Sequence, residues 1–196
     1  VFGLLGHNGA GKTTTIETVL GLKKPDGGSA KVLGQNPRRA RKKLFERVGV
    51  QLQAVSYPNN IRVGEVCEEF SSLYDSPADY MELLEQFKLQ SHVKQPVDKL
   101  SGGERQKLSV AVALLPDPEI VFLDELTTGL DTAARHEVWQ LLEHLKEKGT
   151  TIFLTTHYME EAQALCDRIL LMKDGQEVAA GTVEQVIAGS PYDRLE

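Results

Sequence analysis

The sequence predicts an α/β fold: a mostly parallel, doubly wound sheet with a helical subdomain inserted between two of its strands. Three observations predict it. Short apolar runs of strand length alternate with amphipathic helical segments, the pattern of βαβ units. One early stretch, Gly6-His7-Asn8-Gly9-Ala10-Gly11-Lys12-Thr13-Thr14, sets three glycines and a lysine between an apolar run and a helix. From Ile61 to about Lys99 the periodicity is helical only.

The early stretch fits the P-loop pattern G-x-x-x-x-G-K-[ST] in its required setting of strand, loop and helix. Val1, Phe2, Leu4 and Leu5 form the strand. Thr13 to Leu22 form the helix, with Ile16, Val19 and Leu20 on one face. Gly6, Gly9 and Gly11 allow backbone dihedrals closed to other residues and a close approach to phosphate oxygens. With Asn8, Ala10 and Thr14 they line a concavity whose N–H groups bind anionic oxygens, helped by the positive end of the helix. Lys12 is expected to reach the β- and γ-phosphates of a nucleotide, and the Thr13 hydroxyl to ligate a magnesium ion bridging them.

Composition is compatible with this reading. The length of 196 residues suits one domain, expected over 1–196, with 41% hydrophobic and 26% charged residues as in a globular protein. A formal charge of −6 argues against general nucleic-acid binding. Cys67 and Cys166 belong to no CxxC pair and read as reduced, buried thiols of a cytosolic protein. No apolar run approaches the ~20 residues that cross a bilayer. Because Val1 already stands in the first strand, an N-terminal segment is expected to be missing.

After the first helix, Lys23 to Gly28 is a turn and Ser29 to Leu33 a short strand ended by Gly34. Arg38 to Lys43 is a basic cluster, read as a solvated helix face with a nucleic-acid patch as the alternative. Val48 to Leu52 is a strand. The inserted subdomain, 61–100, carries Val63, Val66, Cys67 and Phe70 on one helical face and Tyr80, Leu83, Leu84 and Phe87 on a second. Ser101-Gly102-Gly103 opens a helix that Pro116 stops. Glu119 to Leu123 is a strand, Thr132 to Lys148 an amphipathic helix, Thr150 to Thr155 a strand and Tyr158 to Cys166 a helix. Arg168 to Met172 and Gln176 to Ala180 form a hairpin around Lys173-Asp174-Gly175, and Thr182 to Ala188 a last helix. The α/β core is thus 1–60 with 101–196, free of internal repeats.

A second constellation completes the site. Ile120-Val121-Phe122-Leu123 leads into Asp124, which would hold the magnesium from the end of a buried strand. Glu125 follows, placed to polarise a water attacking the γ-phosphate. Leu100-Ser101-Gly102-Gly103-Glu104 marks a second anion site, with Ser101 capping a helix start and N–H groups near Gly103 facing a phosphate.

In that order these motifs resemble the nucleotide-binding domain of ATP-binding cassette (ABC) transporters, over nearly the whole chain. Gln53 matches the Q-loop glutamine, which in the family touches magnesium and senses the membrane subunit, with Gln51 the second candidate. Leu100 to Glu104 resembles the LSGGQ signature, Thr128-Gly129-Leu130-Asp131 the D-loop, and His157 the switch histidine. The resemblance implies ATP and Mg2+ as cofactors, with Glu125, His157 and Lys12 catalytic. It implies a head-to-tail pair, expected as a homodimer, in which Ser101 and Gly103 act on the nucleotide across the interface, with Gly102, Glu104 and Asp131 also among the nucleotide-binding residues. It further implies a membrane-spanning permease docked near Gln53 to Leu100, and a cytoplasmic place at the inner face of the membrane. Val48 to Tyr74 looks most like ATPases of drug- or lipid-export systems. The other histidines, His7, His92, His136 and His144, read as surface residues.

The sequence departs from the family at three points. Leu126 stands where Pro usually follows the glutamate, Glu104 replaces the signature Gln, and the antiparallel strands carrying an adenine-stacking aromatic are absent. Two other readings stand beside the transporter: a soluble ABC protein of repair or translation, and a cassette that binds nucleotide without turnover.

Overall fold

The structure is a computed structural model and describes residues 1–52 and 57–188. Six strands form one sheet: β1 (Phe2–Leu5), β2 (Val48–Gln51), β3 (Ile120–Asp124), β4 (Thr151–Thr156), β5 (Arg168–Lys173) and β6 (Gln176–Thr182). Their order is β2-β3-β4-β1-β5-β6. Every neighbouring pair is parallel except β5 with β6, the predicted hairpin.

The strands read as apolar runs because both faces are covered. In β3, Phe122 packs on one side with Ile16, Leu20, Leu44 and Val48, under α1 (Lys12–Val19) and α2 (Arg41–Phe45). Val121 and Leu123 face the other side. There the cover includes α5 (Gly102–Ala113), α6 (Thr132–Glu147) and α7 (Met159–Leu165). The period of two thus sends alternate residues of one strand into two cores.

Between β2 and α5 the chain forms the helices α3 (Val63–Ser71) and α4 (Tyr80–Gln86). Of their predicted faces, Val63, Val66, Cys67, Leu83, Leu84 and Phe87 are buried and join Leu108 of α5 in one cluster, while Phe70 and Tyr80 are partly buried against it. A last helix, α8 (Val183–Ala188), follows β6.

Two expectations need correction. Ser29 to Leu33 is not a strand: Val32 makes one bridge, to Gln35, across Leu33 and Gly34 in left-handed conformations. A tight reversal leaves no extended ladder for those residues to join. The first helix also stops short of Leu22. Gly21 has φ +72°, Leu22 N–H donates to Glu17 O at 2.8 Å and Gly21 N–H to Thr18 O at 3.0 Å. This pairing ends a helix with a left-handed residue just past its C-cap.

Candidate active site

Strands β1, β3 and β4 finish side by side, Leu5 opposite Thr156 and Asp124 opposite Thr155. Their carboxyl ends and the start of α1 open on one crevice, the place where open α/β sheets bind ligands. The loop from Gly6 to Gly11 is fastened across it. Gly6 N–H donates to Thr156 O at 3.3 Å and Gly175 N–H to Ala10 O at 2.9 Å. A Cβ on Gly6 would stand 2.5 Å from Met172 O, so a side chain there would push the loop off β5. Gly11 is the left-handed N-cap of α1 and offers no side-chain cap, which presents the first-turn N–H groups to the crevice.

Lys12 is only 4% exposed. Its Nζ donates to Gly6 O at 2.8 Å and His7 O at 3.1 Å, and pairs with Glu125 Oε1 at 3.0 Å. Thr13 Oγ1 donates to Asp124 Oδ2 at 2.9 Å, while Thr155 Oγ1 donates to Asp124 Oδ1. Asp124 is fully buried and its N–H donates to Gln51 Oε1 at 3.2 Å. Burial of that carboxylate is tolerable because hydroxyls satisfy both of its oxygens.

Glu125 has φ +49°, a left-handed conformation rare for a glutamate. Its N–H donates to Thr155 O at 3.2 Å and to Thr155 Oγ1 at 3.0 Å, which holds a backbone state costing ~1–3 kcal/mol. The reversal aims its carboxylate at Lys12. His157, just beyond β4, places Nδ1 3.8 Å from the same Glu125 Oε1. Lys12, Thr13, Asp124, Glu125 and His157, distant in sequence, therefore meet at one point.

Magnesium fits these residues. Thr13 Oγ1 and Asp124 Oδ2 are hard oxygen donors already adjacent, and magnesium takes one or two such side chains together with phosphate oxygens.

A family model described as ABC transporter matches residues 1–128. The chain belongs to the ABC transporter family. Curated relatives extend the likeness. The Nod factor export ATP-binding protein I of Ralstonia nicotianae is 40% identical over 191 residues, 95% of this chain and 60% of its own length. The protein of the same name from Burkholderia pseudomallei (strain K96243) is 43% identical over 95% of this chain and 63% of its own. The chain thus spans about 60% of the curated relatives it matches. Among solved structures, an ATP binding subunit of an ABC transporter superposes with a TM-score of 0.84. It shares 26% identity and is matched over 98% of this chain and 84% of that one. The fold is the P-loop ATPase fold of ABC proteins.

The segment that resembles the ABC signature, 100–104, lies at the start of α5. Ser101 Oγ accepts from Glu104 N–H at 3.2 Å, and Ser101 N–H donates to Glu104 Oε2 at 2.8 Å, a capping box. Glu104 is held below the usual carboxylate range by the backbone N–H of Ser101, then by the Ser101 hydroxyl, with His92 and Lys107 adding charge. Gly103 brings α5 against α6, since a Cβ there would meet Ala134 Cβ at 3.1 Å. Asp131 caps α6 by accepting from Ala134 N–H at 2.8 Å. Among the described residues, no hydrogen bond or ion pair joins Ser101, Glu104 or Asp131 to the phosphate loop.

Gln53 lies outside the described residues. Gln51, the second Q-loop candidate, reaches the site through Asp124. His92 is more than a surface residue, because its Nε2 lies 3.2 Å from Glu104 Oε1. Leu126, in the proline position, is 2% exposed, and its carbonyl accepts from Gln106 Nε2 of α5. Side-chain bonds and burial therefore hold the path that a proline ring would restrict. Sequence reasoning missed Thr155, which serves Asp124 and Glu125 together. Its only signal was a threonine closing a strand, and only the strand order shows which acid it meets.

Proposed function

We propose that the chain is the ATP-hydrolysing subunit of an ABC transporter. It couples Mg·ATP hydrolysis at a head-to-tail dimer interface to transport by a separate membrane subunit. The observation that carries this is the convergence of Lys12, Thr13, Asp124, Glu125 and His157 at the carboxyl ends of β1, β3 and β4. The loop N–H groups and Lys12 bind the β- and γ-phosphates. Magnesium, when held by Thr13, Asp124 and a Q-loop glutamine (Gln53, or Gln51), supplies positive charge against the phosphate oxygens. Glu125 orients a water in line with the γ-phosphate and accepts its proton as the bond to the ADP oxygen breaks. His157 holds the γ-phosphate from the end of β4, the strand between β3 and β1. Ser101, Gly102, Gly103, Glu104 and Asp131 of a second copy close the site, adding donors to the charge that develops.

Residues 1–196 form one ATPase domain in this reading, with the stretch from Gln53 to Leu100 receiving the membrane subunit. Among the described residues no helix is long and apolar enough to cross a membrane. The chain acts at the cytoplasmic face, docked on its partner. The relatives named for Nod factor export favour an export system, and a solved relative described as part of an ABC transporter complex favours assembly with other subunits.

Phosphate release from Mg·ATP across a protein concentration series tests this, with Lys12→Ala as blank. A rate rising faster than linearly is expected. A rate equal to the blank at every concentration overturns it.

A further inference from the structure

Two side-chain pairs join α6 to the start of α7, and neither is needed to close the sheet. The guanidinium of Arg135 sits 4.5 Å above the centre of the Tyr158 ring. The same ring lies against His157, tilted by 40° with 4.0 Å between centroids. One turn further along both helices, Trp139 Nε1 donates to Glu161 Oε1 at 3.1 Å. Glu161 is 3% exposed and its same oxygen accepts from Thr127 Oγ1 at 2.8 Å. Spacing explains the match: positions 135 and 139 are i and i+4 on α6, while 158 and 161 are i and i+3 at α7.

Two details show what these contacts do. Arg135 Nε is buried with no hydrogen-bond partner among the described residues, so the aromatic face is the contact that compensates its charge there. Beside the pairs the helices part around a groove of 420 Å³, lined by Thr132, His136, Glu160 and Gln163 among others. The two pairs add polar and aromatic contacts to the apolar core that α6 and α7 share through Val138, Leu142, Ala162 and Leu165. At its ends the link touches the Asp131-capped start of α6 and, through Thr127, the segment that follows Glu125.

We propose that Tyr158 and Glu161 are positioning residues that fix the histidine at 157 to the helix behind the D-loop. Contact of a second copy at Asp131 is thereby transmitted to the imidazole that holds the γ-phosphate. The proposal rests on the ATPase reading above. Tyr158 acts through His157, by packing against its ring, and Glu161 acts through Thr127 and Trp139. Neither touches the reacting atoms.

The test uses Tyr158→Leu, Tyr158→Phe and Glu161→Gln in the full chain. Tyr158→Leu is expected to lower kcat about tenfold, the scale of a small misplacement of a reacting group, with the Kd for Mg·ATP within about twofold. Tyr158→Phe restores the rate, because the contact needs the ring and not the hydroxyl. Glu161→Gln keeps an oxygen able to accept from Thr127 and Trp139 and is expected to lose less than Tyr158→Leu. The imidazole proton resonances of His157 report independently: they shift when the ring over them is removed, whether or not ATP is hydrolysed. Arg135→Gln leaves both α7 residues in place and covers the case of a misfolded Tyr158→Leu; it too lowers kcat and shifts the His157 resonances. A wild-type kcat and unmoved His157 resonances in Arg135→Gln and Tyr158→Leu overturn the proposal. A wild-type chain that releases no phosphate overturns the ATPase reading instead, while the resonances still report whether the contact holds His157.

Discussion

Lys12 Nζ lies 3.0 Å from Glu125 Oε1, with side chains 3% and 6% exposed. The cation proposed to bind phosphate and the carboxylate proposed to orient water are partners of each other. Phosphates entering the loop must take Lys12 from that carboxylate, and the glutamate is redirected in the same event. Binding and activation thus share one contact.

Glu125→Gln removes the negative competitor for Lys12. The variant is expected to bind Mg·ATP more tightly than the wild type, by about fivefold or more (~1 kcal/mol), while releasing no phosphate. Titration calorimetry with a phosphate assay checks both halves. Wild-type turnover in this variant removes Glu125 from its assigned role.

Lys12→Ala is expected to abolish Mg·ATP binding by calorimetry. It also takes a buried cation away from Glu125, and breaking a buried pair from one side costs ~3–5 kcal/mol. Denaturant unfolding is expected to show that loss, and Lys12→Ala with Glu125→Gln to recover part of it. Equal stability of the single and double variants would contradict the pairing.

The signature segment is expected to act across the interface. A Ser101→Arg protein mixed with a Lys12→Ala protein leaves one site with both halves intact, so phosphate release reappears at intermediate ratios. A mixing series that stays at baseline throughout counts against the head-to-tail arrangement.

The capping box predicts an acid-sensitive helix start. Glu104 titrates below its ordinary 4.5 because Ser101 N–H, then the Ser101 hydroxyl, favour the charged form. A lowered folded value gives stability that is present above the unfolded value and lost as pH falls through the folded one. Ser101→Ala is expected to cost ~1 kcal/mol at pH 7 and to flatten the acid dependence below pH ~4.5. Denaturant midpoints measured at several pH values decide it.

Cys67 and Cys166 are free, buried thiols, and burial pushes both up to about 12. Thiolate is the reactive form, so native protein at pH ~8 is expected to resist a thiol reagent, and unfolded protein to react at two sulfurs. Rapid labelling of either thiol in the folded chain would place it outside the core described.

The local pieces were legible because local rules encode them. The phosphate loop showed in glycine spacing, β3 in four apolar residues before Asp124, and the faces of α3 and α4 in their helical period. Failures came where a neighbour decides. Ser29 to Leu33 has strand-like residues yet makes only the bridge from Val32 to Gln35. His92 carried no sign of Glu104, twelve residues ahead, until the turns after α4 brought them within 3.2 Å.

By itself the sequence determined which residues are chemically able to serve: a lysine behind glycines, a hydroxyl beside it, two acids closing an apolar strand, a histidine after another. The tertiary structure decided which of them touch. Strand order places β4 between β3 and β1, so Thr155 bridges Asp124 and Glu125 while His157 faces the latter. Helix spacing across α6 and α7 sets Arg135 over Tyr158. Periodicity records the dihedrals and burial of a segment. Which segment becomes its neighbour depends on pairings that reach from 31 residues, between Asp124 and Thr155, to 111, between Thr13 and Asp124, and no local pattern carries that information.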